Sequence, residues 1–282
     1  MEKRMRDRKE AAFRYFWLGL ILIFLVFPYY WMIISSLKPP EQTMISPPAW
    51  WPSRFVFSNY ADAWNAIPFT RYLGNSLTYA VLTAVFCTLL SSFAGYSLSR
   101  FSFKGKKTSF ILLLSTQLLP WVMTIIPFYF VLKSLNLTNT TFGIILAYST
   151  WAIPFCTLML RGYFNSAIPD SIEESATVDG CTKLGVFFRI SLPLSIPGLV
   201  ATAIFSFILA WNEFSWASIF LTSSEKKPLA VGMYDFIGQT GGTSAITLYM
   251  STAVMTMIPT LIVFGFIQRY MVAGMSAGAV KG

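Results

Sequence analysis

Glu213 is the one formal charge that lies well inside an apolar run of this chain, in the segment Trp211-Asn212-Glu213-Phe214; Arg161 sits close to the end of its own run. A carboxylate at membrane depth costs about 2.5–3.5 kcal/mol on insertion scales unless it faces a cavity or a partner, so a working role is the default. The chemistry on offer is recognition and not bond-making: in a water-filled path aromatic faces stack on a pyranose ring while amide and carboxylate groups accept its hydroxyls, so Trp211, Asn212, Glu213 and Phe214 are candidates to line a translocation path. A second use is structural, with Glu213 bonded to a neighbouring helix or lying near the outer interface. Gln117, Trp121, Tyr148 and Trp151 are also polar or aromatic within apolar runs. Each of them is equally ordinary at a helix–helix contact.

A second set of candidates lies in the polar segment 165–197, between two long apolar runs. There Glu174, Ser175, Ala176, Gly180, Ile190, Leu192 and Pro193 stand at fixed spacing. Pro169 and Asp170 mark a helix start, and Ser171-x-x-Glu174 fits the capping box in which serine and glutamate satisfy free backbone donors reciprocally. Gly180 suits a sharp turn before a second short helix over 183–190. The expected unit is a helix–turn–helix along the membrane surface, for which an amphipathic interfacial pair is the alternative use.

Other chemistry is missing. No histidine occurs, which removes the commonest general base and metal ligand. Gly105-Lys106-Lys107-Thr108 matches only the tail of a phosphate-cradling loop, and Gly95-Tyr96-Ser97-Leu98-Ser99 lacks the last glycine of a nucleophile elbow. No catalytic residue, metal site or bound cofactor is expected, and the chain reads as a conduit, not an enzyme.

The elements that must position these residues are set by lipid. Hydrophobic residues make up 55% of the chain and charged ones 12%, a balance that excludes a soluble globular protein. Apolar runs long enough to cross a bilayer occupy residues 15–37, 72–98, 108–132, 142–164, 198–221 and 248–270. They predict an all-α membrane protein with six transmembrane helices, since unbroken runs of this length argue against barrel strands. The first run follows a basic segment, residues 1–14, but is too long for a signal peptide and lacks an A-x-A-like cleavage site. Basic residues gather on the N-terminal side of the spans, which places both termini and loop 165–197 in the cytoplasm. The net charge of +9 is then a topology signal and a contact with anionic lipid, and no nucleic-acid partner is expected. The spans form one domain, residues 15–270, followed by a cytoplasmic tail, residues 271–282.

Smaller features follow the same logic. Cys87, Cys156 and Cys181 lack the exposed, oxidising setting of a disulfide. Asn136-Leu-Thr138 and Asn139-Thr-Thr141 match a glycosylation pattern but read as a polar turn. Ser91, Gly95 and Ser99 recur every four residues and give a stripe where helices approach closely. Pro39-Pro40, Pro47-Pro48 and Pro52 keep an outer loop from becoming a long helix, with Trp50 and Trp51 as interfacial anchors.

Glu174-Ser175-Ala176-x3-Gly180-x9-Ile190-x-Leu192-Pro193 resembles the EAA---G---------I-LP signature of membrane subunits of binding-protein-dependent ABC importers, with serine in place of the first alanine. Asn75-Ser76-Leu77, the Trp211–Phe214 segment and the ending Gln268-Arg269-Tyr270-x3-Gly274-x3-Gly278-x2-Lys281-Gly282 are similar to MalG-type permease subunits of carbohydrate importers. The resemblance implies a complex with a MalF-like second permease, a dimer of ATP-binding cassette ATPases that carry ATP and Mg, and an extracytoplasmic solute-binding protein, in the cytoplasmic membrane. It implies that Glu174, Ser175, Ala176, Gly180, Ile190, Leu192 and Pro193 couple to the ATPase, that Gly274, Gly278 and Lys281 touch it through the tail, and that segment 222–247 reaches toward the binding protein. A sugar, as a di- or oligosaccharide, is the implied substrate, with glycerol phosphate or polyamine as the alternative cargo. A secondary transporter predicts inverted repeats, discontinuous helices and several membrane acids. A membrane enzyme is weaker still, for want of the motifs above.

Overall fold

The computed structural model describes residues 2–239 and 242–279, with side chains at 10–234, 242 and 244–265. Apolar sequence in lipid must pair every backbone donor within its own segment, so it folds as helix. Among the described residues all regular elements are helical: α1 (Glu2–Ser36), α2 (Ser58–Ala66), α3 (Phe69–Arg100), α4 (Lys106–Thr116), α5 (Trp121–Ser134), α6 (Thr141–Ala167), α7 (Asp170–Val178), α8 (Lys183–Val186), a π-helical turn at Phe187–Ser191, α9 (Leu192–Leu194), α10 (Ile196–Trp211), α11 (Ser215–Phe220), α12 (Leu229–Gln239) and α13 (Gly242–Ala279), with short 3-10 turns at Pro40–Gln42 and Ser224–Lys226.

Among those residues four helices are long and apolar enough to cross a membrane unaided, at Glu10–Ser36, Phe69–Arg100, Thr141–Ala167 and Ser244–Gly265. The number reaches six only if each of two bent pairs counts as one span. The third and fifth runs, expected to be unbroken, are therefore corrected. Helices α4 and α5 meet at a bend of 106°. Pro120, which lacks an N–H and disfavours helix at the residue before it, lies between them. In the fifth run α10 ends at Trp211 and α11 begins at Ser215, so Asn212, Glu213 and Phe214 occupy a break. A second bend, of 75°, separates Lys183–Leu194 from α10.

The chain divides into two compact units, Met1–Phe69 with Met233–Ile258, and Thr70–Gly232 with Pro259–Gly282. In the first unit Asn59 clasps the end of α1, donating from Nδ2 to the carbonyls of Ser36 and Lys38, both at 2.9 Å. Ser251 of α13 donates to the same Ser36 carbonyl at 3.3 Å, and Thr43 pairs with Thr247 at 2.8 Å. Buried Lys38 stands 4.0 Å over the Trp31 ring, and its burial lowers the ammonium's pKa. Trp50 and Trp51 are exposed.

The second unit is built around α6. Ser91 donates to the Ile153 carbonyl at 3.2 Å, and a Cβ at Gly95 would stand 3.0 Å from the Arg161 backbone nitrogen. Ser99 bonds Asn165, so the whole small-residue stripe of α3 lies on α6. Asn75 and Ser76 pin the chain after the fifth run, Asn75 donating to the carbonyls of Glu225 and Lys227 and Ser76 accepting from the Leu229 N–H. Asn136 and Asn139 adopt φ of 56° and 55°, which makes their segment a tight polar turn, and Thr140 caps α6. Cys87 and Cys156 are buried and unpaired.

Candidate functional site

Two places gather the residues singled out by sequence: the helix pair after α6, and a cleft beside the break between α10 and α11.

In the first, α7 starts at Asp170 with Pro169 as its N-cap and no side-chain cap bond. The Ser171–Glu174 capping box is thus not formed, a correction with a simple cause. Ser171 lies within the helix, where its carbonyl accepts from Ser175 Oγ at 2.8 Å, and Asp170 and Glu173 supply the negative charge that the helix N-terminus favours.

The C-terminus of α7 is a Schellman turn: Cys181 N–H reaches the Ala176 carbonyl at 3.0 Å, and Gly180 N–H reaches that of Thr177 at 3.1 Å. This geometry puts Gly180 at φ +87°, a conformation that a side chain strains, while the space around it is open. Thr182 then caps α8 by accepting from the Gly185 N–H at 3.1 Å.

Alternate faces of α7 point opposite ways. Glu173 and Ala176 are buried; Ile172, Glu174, Ser175 and Val178 are exposed. Leu184 adds a further exposed apolar side chain. Of the other signature residues, Ile190 is half-buried and Pro193 exposed. Leu192 packs on the aromatic cluster of Tyr96, Phe164 and Phe187.

The inward face carries what sequence reasoning missed. Arg100, at the last turn of α3, donates from Nε to Glu173 Oε2 at 2.9 Å and pairs through Nη1 with Asp170 Oδ1 at 2.7 Å. Its Nη2 reaches the carbonyls of Phe164 and Ile168 at 2.9 and 2.7 Å, at the end of α6 and just beyond it. Glu173 also accepts from Ser191 Oγ at 2.7 Å and from Tyr96 Oη at 3.3 Å. Arg100 and Glu173 side chains are each 11% exposed. In sequence Arg100 is one of the basic residues that gather on the N-terminal side of the spans. The available signal was helical period, which puts Glu173 and Ala176 on one face of α7 and Glu174 on another.

The second place is a cleft of about 380 Å³ lined by Trp121, Tyr148, Trp151, Asn212, Glu213 and Phe214, among others. Glu213 has a local task there: its carboxylate accepts from the backbone N–H groups of Trp216 and Ala217 at 3.0 and 3.1 Å and so caps α11. Trp211 stays out of the cleft, buried and stacked on Phe207 with ring centres 5.9 Å apart. Asn212 donates to the Ile208 carbonyl at 2.9 Å and is otherwise exposed. Tyr148 Oη and Trp151 Nε1 are buried with no hydrogen-bond partner among the described residues. Gln117 does not line the cleft.

Gly274 and Gly278 fall within α13, and Lys281 lies outside the described residues. Among the described residues no group of three or more His, Cys, Asp or Glu could hold a metal ion.

A family model described as "Binding-protein-dependent transport system inner membrane component" matches residues 87–277, which takes in both places. The chain belongs to this permease family. Its members are transport-system subunits of the membrane, not enzymes, and the apolar helices fit a multi-pass membrane protein. The permease is 35% identical to the diacetylchitobiose uptake system permease protein DasC of Streptomyces coelicolor, over 93% of this chain and 94% of that one. It is 37% identical to the probable ABC transporter permease protein YurM of Bacillus subtilis, over 94% of this chain and 87% of that one. In fold it is similar to a chain in the crystal structure of a bacterial ABC transporter involved in the import of the acidic polysaccharide alginate, with a TM-score of 0.81 and 24% identity, covering 94% of this chain and 97% of that chain. The family match carries the MalG-type resemblance past the motif. The discontinuous helices, which a secondary transporter also predicts, belong here to an ABC-type permease.

Proposed function

We propose that this permease forms half of a sugar-conducting pore, paired with a MalF-like subunit, and that segment 165–197 is the cytoplasmic seat of an ATP-binding cassette ATPase. The observation that carries this is the two-faced helix α7. Its inner face is consumed by Arg100, while Glu174, Ile172 and Val178 are held outward beside a turn with open space around it. An exposed carboxylate flanked by apolar side chains fits a protein partner. The positive-inside rule puts this loop and both termini in the cytoplasm, and the tail beyond residue 270 adds a second contact with the ATPase. Segment 222–247, on the opposite side, faces the solute-binding protein.

Sugar cargo is supported by the DasC relative and by the cleft. Two broken spans meet there, Trp121 opening α5 and Asn212 closing α10, and irregular backbone at membrane depth is tolerated where it lines a cavity. Aromatic walls with Asn212 at the rim suit the apolar face and hydroxyl edge of a pyranose ring.

The test is purification of the tagged permease from native membranes in mild detergent, with identification of its companions and reconstitution into vesicles. An ATPase and a second permease are expected, with ATP-driven uptake of diacetylchitobiose or a related oligosaccharide and loss of uptake for Trp151→Ala. Absence of an ATPase would overturn the docking role. Uptake of glycerol phosphate or polyamine alone would overturn the cargo class, and full uptake by Trp151→Ala would remove the cleft from the path.

A further inference from the structure

Glu173 and Glu174 are neighbours in sequence and face opposite ways, and the inward one stands at the meeting point of several elements. Its two oxygens are divided: Oε2 takes Arg100 and Tyr96 of α3, and Oε1 takes Ser191, in the π-helical turn of the loop's second half. Arg100 in turn holds Asp170 at the start of α7 and two carbonyls at the end of α6. One ion pair therefore joins α3, α6, α7 and the turn that leads into α10.

We infer that the Arg100–Glu173 pair is a positioning joint for transport, through which the motion of the docking loop reaches the spans α3 and α6. This rests on the reading of segment 165–197 as an ATPase seat. The physical argument concerns stiffness. The only covalent route from α7 to α6 is the two-residue link Ile168-Pro169, and the route to α10 passes through a glycine turn, a π-helical turn and a 75° bend. A loop held by such connections alone would rock on the spans when pushed. A planar guanidinium with donors on both of its edges fixes position and angle together, which a lysine ammonium does not. Burial adds to the effect, because neither charge can be released to water cheaply. Glu174 then binds the moving partner, and Glu173 conveys the movement inward.

The experiment uses the whole reconstituted transporter with diacetylchitobiose as the probe. Arg100→Lys and Glu173→Gln keep size and much of the hydrogen bonding, so insertion and ATPase association should persist. Uptake should drop by roughly tenfold or more while hydrolysis continues, so that sugar moved per ATP hydrolysed falls. The double variant Arg100→Lys with Glu173→Gln should lower that ratio little further than the more damaging single exchange, because both remove one and the same pair. An unchanged ratio in both conservative variants would overturn the joint. So would uptake, hydrolysis and ATPase association falling in equal proportion, since that is the signature of a loop that merely loses its fold. Failure of the wild-type permease to bind any ATPase would instead overturn the docking role beneath it.

Discussion

At Gly180 the demand is conformational. Its φ of +87° closes the Schellman turn, and a Cβ there would meet nothing within 4 Å. A left-handed conformation costs an ordinary residue about 1–2 kcal/mol. Gly180→Leu is expected to abolish sugar uptake while the spans still insert, through strain in the turn and a side chain standing where the partner sits. Glu174→Ala is expected to do less. The Ser171–Glu174 capping box is not formed, so only an exposed charge pair with the partner is lost, worth roughly 0–1 kcal/mol. ATPase pull-down with each variant, repeated at low protein concentration, should show partial loss for Glu174→Ala. Full association and uptake by Gly180→Leu would overturn the seat.

Between elements, α3 meets α6 closely at Gly95. At Gly95 an added Cβ would stand 3.0–3.1 Å from the Arg161 nitrogen, Leu160 Cβ and the Thr157 carbonyl, two of them backbone atoms that cannot swing aside. At Gly74 on the same helix it would meet nothing within 4 Å. Gly95→Leu should therefore push the two helices apart at a cost of about 1–3 kcal/mol, seen as a lower melting temperature in detergent. Gly74→Leu should leave the melting temperature nearly unchanged. Equal effects of the two would mean that α3 does not pack through its small-residue stripe. The same face of α3 ends in Arg100, so widening this seam should also weaken the hold on α7.

For the whole molecule, orientation is the property to test, and the native cysteines allow it. Cys87 and Cys156 are 0% exposed, while Cys181 is half-exposed beside Gly180. A membrane-impermeant maleimide should label one site, Cys181, in inside-out vesicles and none in intact cells. Cysteines placed at Pro48 or Gly242 should react with the opposite sidedness. Labelling of Cys181 in intact cells would reverse the topology and remove the docking loop from the side where ATP is hydrolysed.

What the sequence by itself determined was governed by solvent and by local chain chemistry. Long apolar runs can only be helices in lipid, so α1, α3, α6 and much of α13 were legible, as were the helix start at Asp170, the turn at Gly180 and the small-residue stripe of α3. Spacing within one short segment carried the family signature for the same reason: its residues are fixed by local geometry. What only the tertiary structure decided depends on residues distant in the chain. Hydropathy averages over Gln117–Pro120 and Asn212–Phe214 and so hides the breaks in the third and fifth runs, which form where neighbouring helices and a cleft accommodate the loose backbone. Glu213 looked like a bare charge because its partners are backbone donors exposed only once α11 begins. Arg100 and Glu173 lie 73 positions apart. No local period can express their pairing; burial between α3, α6 and α7 makes it, because two charges removed from water must find each other.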